Sequence, residues 1–72
     1  MKTLIIECLD NAKTTCFNLK DVYCVRFGIA KQLLTKEQTY LYNVTQYKPT
    51  TVVITNDMKE FYFFGEHTLF YK

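Results

Sequence analysis

The stretch that most constrains the fold is the last third of the chain, TTVVITNDMKEFYFFGEHTLFYK from Thr50. Two runs of β-branched and aromatic residues flank a polar break, Asn56-Asp57-Met58-Lys59, which is the sequence form of a β-hairpin. With Asp57 and Met58 as a two-residue turn, Ile54 stands opposite Phe61 and Val52 opposite Phe63, all on one apolar face. The other face then carries Thr51, Val53, Thr55, Glu60, Tyr62 and Phe64. The rest of the chain must cover the apolar side.

The preceding residues supply that cover. Leu4, Ile6 and Cys8 alternate with Ile5, Glu7 and Leu9, and Asp10-Asn11-Ala12-Lys13 breaks the strand, with Asn11 suited to a left-handed turn position. Thr14 to Phe17 returns as a second strand, and a two-residue turn puts Ile6 opposite Phe17 and Cys8 opposite Thr15. From Leu19 to Leu34 two readings compete. Leu19, Val22, Tyr23, Phe27, Ala30, Leu33 and Leu34 form a helical stripe, and Asn18 with Asp21 resembles a cap. Val22 to Phe27, however, are poor helix formers, and Gly28 costs about 1 kcal/mol inside a helix. The preferred segmentation is a strand over 22–27 and one short helix over 29–38; the alternative is a single helix over 19–34 in a ββαβββ order. Thr39 to Tyr47 alternates as a strand, with Tyr40, Tyr42 and Val44 on one side, ending before Pro49. Thr68 to Tyr71 adds an edge strand. The expected fold is mostly β (α+β): a small twisted antiparallel sheet or partial barrel from two hairpins and a central strand. A faint echo at an offset of 47 aligns Cys16–Tyr23 with Phe63–Phe70, as if two hairpin–turn–strand units followed one another.

At 72 residues the chain is one domain over 1–72, with an expected radius of gyration of ~11 Å. Six Phe and six Tyr supply the volume a chain this short needs. The net charge of +2 is scattered, and Arg26 is the sole arginine, which is thin equipment for reading phosphates or bases. Cys8, Cys16 and Cys24 recur every eight residues without a Cys-x-x-Cys pair, so with His67 they lack zinc-site spacing and read as small buried hydrophobes. No metal or other cofactor is expected. A cysteine–His67 nucleophile pair has nothing around it to shape a cleft, and His67 reads as part of an exposed turn; the expectation is a protein that is not an enzyme. The start MKTLIIECLDN is not a signal peptide, and no run approaches a membrane span, so a cytoplasmic location with free thiols is expected.

Aromatics on both faces of the C-terminal hairpin exceed what the domain can bury. The candidate partner-binding residues are Tyr62 and Phe64, followed by Tyr40 and Tyr42, because tyrosine anchors interfaces while charge is depleted at their centres. The layout ECLDNAKTTCFNLKDVYCVRF, a hairpin followed by Asn-Leu-Lys-Asp-Val and another strand, resembles small phage and mobile-element proteins. Some of those, the anti-CRISPR proteins among them, act as stoichiometric inhibitors of host defence. The resemblance covers about twenty residues, contains no catalytic motif and transfers no site residue. It implies a phage-derived binding protein in the host cytoplasm, acting on a larger host protein or ribonucleoprotein complex such as a CRISPR-Cas system. The alternatives are a single-stranded nucleic-acid binder, with aromatics as stacking platforms, and a module that self-associates by edge-strand pairing.

Overall fold

The computed structural model describes residues 2–72. Strands form at β1 (Thr3–Cys8), β2 (Lys13–Asn18), β3 (Val22–Ile29), β4 (Pro49–Thr55), β5 (Glu60–Phe64) and β6 (His67–Tyr71). Two short helices, α1 (Ala30–Leu33) and α2 (Lys36–Leu41), lie between β3 and β4. Two three-stranded antiparallel sheets result, ordered β2-β1-β6 and β3-β4-β5. The barrel anticipated as one option does not close.

The topology accounts for the echo in the sequence. β1 and β2 form a hairpin, and the chain then crosses to the other sheet as β3; β4 and β5 form a hairpin, and the chain crosses back as β6. Each unit lends its third strand to the other, β3 pairing with β4 and β6 with β1. The first crossover is a 3-10 turn, Leu19–Asp21, whose first turn is capped by the Asn18 side chain accepting from the Lys20 amide. The Asn18 signal was therefore a cap, but of this turn and not of a helix over 19–34. β-branched and aromatic residues carry the following segment as strand through Ile29.

The second crossover turns on Gly65, which is buried at φ +88° and donates its amide to the Pro49 carbonyl at 2.9 Å. A Cβ there would come within 2.6 Å of an Asp10 carboxylate oxygen. Gly65→Ala is expected to cost about 1–2 kcal/mol in left-handed backbone strain, lowering Tm by about 5–10 °C in a domain of this size. Thermal denaturation checks this, and an unchanged Tm would show that the crossover does not need its glycine.

Both hairpins depart from two-residue turns. In the C-terminal one, the Met58 amide donates to the Thr55 carbonyl and Met58 is left-handed at φ 65°, a type I turn closed by a bulge residue. The extra loop residue shifts the register by one: Val52 pairs with Tyr62, Val53 with Phe61 and Thr51 with Phe63. Hence Val52 and Ile54 share the face of Tyr62 and Phe64, not that of Phe61 and Phe63 as expected; a one-residue slip exchanges faces. In the first hairpin Cys8 pairs with Lys13 across a four-residue loop, so Leu4 meets Phe17 and Ile6 meets Thr15. That shift is even and leaves the faces as expected. Ala12, at φ 54°, takes the left-handed position instead of Asn11, whose side chain accepts from the Lys13 amide.

The sheets stack with Leu4, Ile6 and Val53 fully buried between them, and Phe17, Leu19, Val22, Val25, Phe63 and Leu69 packed around these three. Phe17 meets Phe61 and Phe63 edge-on, with centroids 5.2 and 6.1 Å away, which places β2 over β5. The helices cover the far face of the second sheet, making a third layer. Gly28 of β3 lies under Gln32 and Leu33 of α1, and Val52 is buried although it points away from the first sheet. Cover on both sides explains why Thr50 to Val53 are buried in succession.

The single helix expected over 29–38 is two helices, and the strand expected over 39–47 does not form. Thr35 and Gln38 make a reciprocal capping box, the Gln38 amide donating to Thr35 Oγ1 at 3.1 Å and the Thr35 amide to Gln38 Oε1 at 3.0 Å. That restart at Thr35 ends α1 and carries α2 through Leu41. Asn43 then adopts φ 54°, with the Val44 amide bonded to the Thr39 carbonyl and the Asn43 amide to the Tyr40 carbonyl. This paired arrangement is a Schellman stop. The alternation through Tyr40, Tyr42 and Val44 is thus the end of a helix and its exit. The radius of gyration is 12.2 Å, slightly above expectation for a chain laid out in three thin layers.

Candidate partner-binding surface

Three of the four expected binding residues meet on the helix-covered side of the second sheet. Tyr62 and Phe64 stand two residues apart on β5 and face the same way, because side chains alternate along a strand. Their rings are nearly parallel, with an interplanar angle of 6° and centroids 6.2 Å apart. Tyr42, at the C-terminal end of α2, lies over both, with centroids 5.3 Å from Tyr62 and 5.6 Å from Phe64. Tyr40 stands apart from this cluster, 89% exposed on the rim of a separate cleft. Leu41 between them is 76% exposed and was not singled out from the sequence.

Gln38 was also missed, and it links the helix to the sheet. While its oxygen serves the capping box, its Nε2 donates to the Tyr62 hydroxyl at 3.2 Å. That hydroxyl in turn donates to the Glu60 carboxylate at 3.1 Å. The Thr-Lys-Glu-Gln pattern at 35–38 was the available signal for the cap, though not for the bond to the sheet. Tyr62 is therefore a fastening as well as a surface residue.

Burial, assisted by the bonded and negatively charged Glu60, raises the Tyr62 phenol above its usual 10.0. The folded state thus favours the neutral phenol, and this contribution to stability is complete below pH 10.0 and lost as pH rises through the raised value. Denaturant midpoints measured across that alkaline range are expected to fall more steeply for the native chain than for Tyr62→Phe, which has no proton to lose. Parallel pH profiles would show that the phenol is not held by the fold.

The other sequence candidates for chemistry are placed differently. His67 is half-buried in β6, not in an exposed turn. Its Nδ1 donates to the Gly65 carbonyl at 2.7 Å, so its Nε2 accepts from the buried Thr51 hydroxyl at 2.5 Å. Cys8 lies opposite His67 in the ladder, but both ring nitrogens are already engaged. Cys8, Cys16 and Cys24 are free thiols, and Cys8 and Cys16 lie on opposite faces of the first sheet. Among the described residues no three His, Cys, Asp or Glu side chains gather as metal ligands, and no helix is long and apolar enough to cross a membrane.

What the surface offers is a preassembled group of rings bordered by exposed Leu41, with the Glu60 carboxylate bonded at its edge and Asp10 and Lys13 lining a cleft beside Tyr62 and Phe64. No protein family, curated protein or solved structure matches the chain.

Proposed function

We propose that this chain is a non-enzymatic binding protein that covers a surface on a larger host protein or ribonucleoprotein complex. Tyr42, Tyr62 and Phe64 form the centre of contact, with Leu41 next to them and Tyr40 farther out on the rim of the neighbouring cleft. The observation that carries this reading is the ring cluster between α2 and β5, with exposed apolar neighbours on the same short helix. Aromatic anchors with little central charge are the composition of interface cores. Rings already held by one another and by Gln38 lose little freedom on binding, which favours affinity. The resemblance to phage accessory proteins suggests the setting, the cytoplasm of a host cell, and the mode, stoichiometric occlusion of a defence complex.

A second reading has one specific support: the nearly parallel Tyr62 and Phe64 rings on a sheet are the kind of platform on which single-stranded nucleic acid stacks. Affinity capture from host lysate under rising salt separates the two. The first reading expects a defined protein retained as salt increases. Captured nucleic acid released steeply by salt would replace it with the second.

A further inference from the structure

Beside the ring cluster lies an open cleft of about 920 Å³, lined by Lys31 from α1, Leu34 just past its end, Lys36, Thr39 and Tyr40 from α2, and Asn43, Val44 and Gln46 from the exit loop. Its walls are fixed by backbone bonds. The first two amides of α1, which have no partner within their own helix, donate to the loop: Ala30 to the Lys48 carbonyl at 3.0 Å and Lys31 to the Gln46 carbonyl at 2.8 Å. The Schellman stop at Asn43 holds the opposite end. Leu34, which is buried, and half-buried Val44 supply apolar lining, and among the described residues no acidic side chain lines the cleft.

The charged residues of the lining, Lys31 and Lys36, are both positive. Between residues 30 and 48 the ionisable charges are Lys31, Lys36 and Lys48 against Glu37, a net of +2; the other six basic and six acidic residues cancel, so this segment accounts for the chain's formal +2. Among the described residues the one ion pair joins Lys59 to Asp57, far along the chain. The Lys31 and Lys36 ammonium groups are exposed and have no carboxylate partner.

We infer that this cleft binds an acidic peptide segment of the partner protein, with an aliphatic side chain seated against Leu34 and Val44 and flanking carboxylates paired with Lys31 and Lys36. The inference rests on the reading of the chain as a protein-binding module and specifies the chemistry of the segment bound beside the ring cluster. Two lysines five residues apart on separate helices fit carboxylates spread along a peptide. The apolar lining gives such a peptide a purchase that a bare polyanion lacks.

The test uses the full chain and a fluorescein-labelled peptide of alternating glutamate and leucine, against the same peptide with lysine for glutamate and against an oligothymidylate. The acidic peptide is expected to bind and to shift the Leu34 and Val44 methyl resonances, while the lysine peptide does not bind. Lys31→Gln with Lys36→Gln is expected to weaken binding about five- to tenfold, the yield of two partly exposed ion pairs, with thermal stability unchanged. Tyr42→Ala is expected to leave peptide binding intact, so failure of the ring-cluster reading and failure of this one give different results. Equal binding of the lysine peptide, methyl shifts elsewhere, or tighter binding of the oligonucleotide that depends on both lysines would each overturn the inference.

Discussion

Phe17→Ala is expected to remove about 3–5 kcal/mol of stability, a large share of what a domain this small holds. Phe17 projects from β2 of the first sheet and meets both Phe61 and Phe63 of the second edge-on. Removing a ring that bridges two sheets loses both its buried area and the favourable ring geometry, about 3–5 kcal/mol. A 72-residue domain holds about 4–11 kcal/mol in all. Urea denaturation and the near-ultraviolet aromatic signal report the loss. Phe70→Ala is the control: Phe70 pairs with Ile5 on the outer face of the first sheet, where truncation should cost about 1 kcal/mol. If Phe70→Ala unfolds the chain and Phe17→Ala does not, β2 does not lie over β5.

Tyr40→Ala combined with Tyr42→Ala is expected to abolish most partner binding while leaving the fold in place. Tyr40 is exposed, and Tyr42 is 42% exposed and contributes only ring contacts with Tyr62 and Phe64, worth about 1 kcal/mol. As anchors at an interface, the pair should cost more than about 2 kcal/mol of affinity, a fall of about thirtyfold. Circular dichroism of the free chain and titration against its captured partner separate the two effects. Tyr62→Ala is a poorer probe than the sequence suggests. It removes the acceptor for Gln38 and the ring under Tyr42, so it loosens α2 from the sheet and confounds stability with binding.

The sequence was legible where one signal dominated. Six strands followed from β-branched and aromatic runs bounded by turn residues, because local propensity and burial agree there. It was less legible where a single backbone conformation decides the outcome. Met58 in the left-handed region adds one residue to a loop and moves the partners of Val52 and Val53 by one position, and nothing in a methionine announces that. Over residues 39–47 the alternation of Tyr40, Tyr42 and Val44 outweighed a capping box at Thr35 and Gln38 and a stop at Asn43, which delimit a helix too short for its periodicity to register. The shared facing of two rings of the cluster was legible for a reason independent of register. Tyr62 and Phe64 share a face under any pairing, whereas the arrival of Tyr42 above them depends on the helix the alternation concealed.

The most direct test of the partner-surface reading is paired affinity capture from host lysate. The bait is the native chain, the Tyr40→Ala/Tyr42→Ala chain, or a chain altered at Cys16 and Phe70 on the outer face of the first sheet, each verified as folded. The account predicts that one defined host protein is retained by the native chain and by the Cys16/Phe70 variant but lost from the tyrosine variant. Retention by the tyrosine variant with loss from the Cys16/Phe70 variant would contradict it and move the contact surface to the opposite side of the molecule.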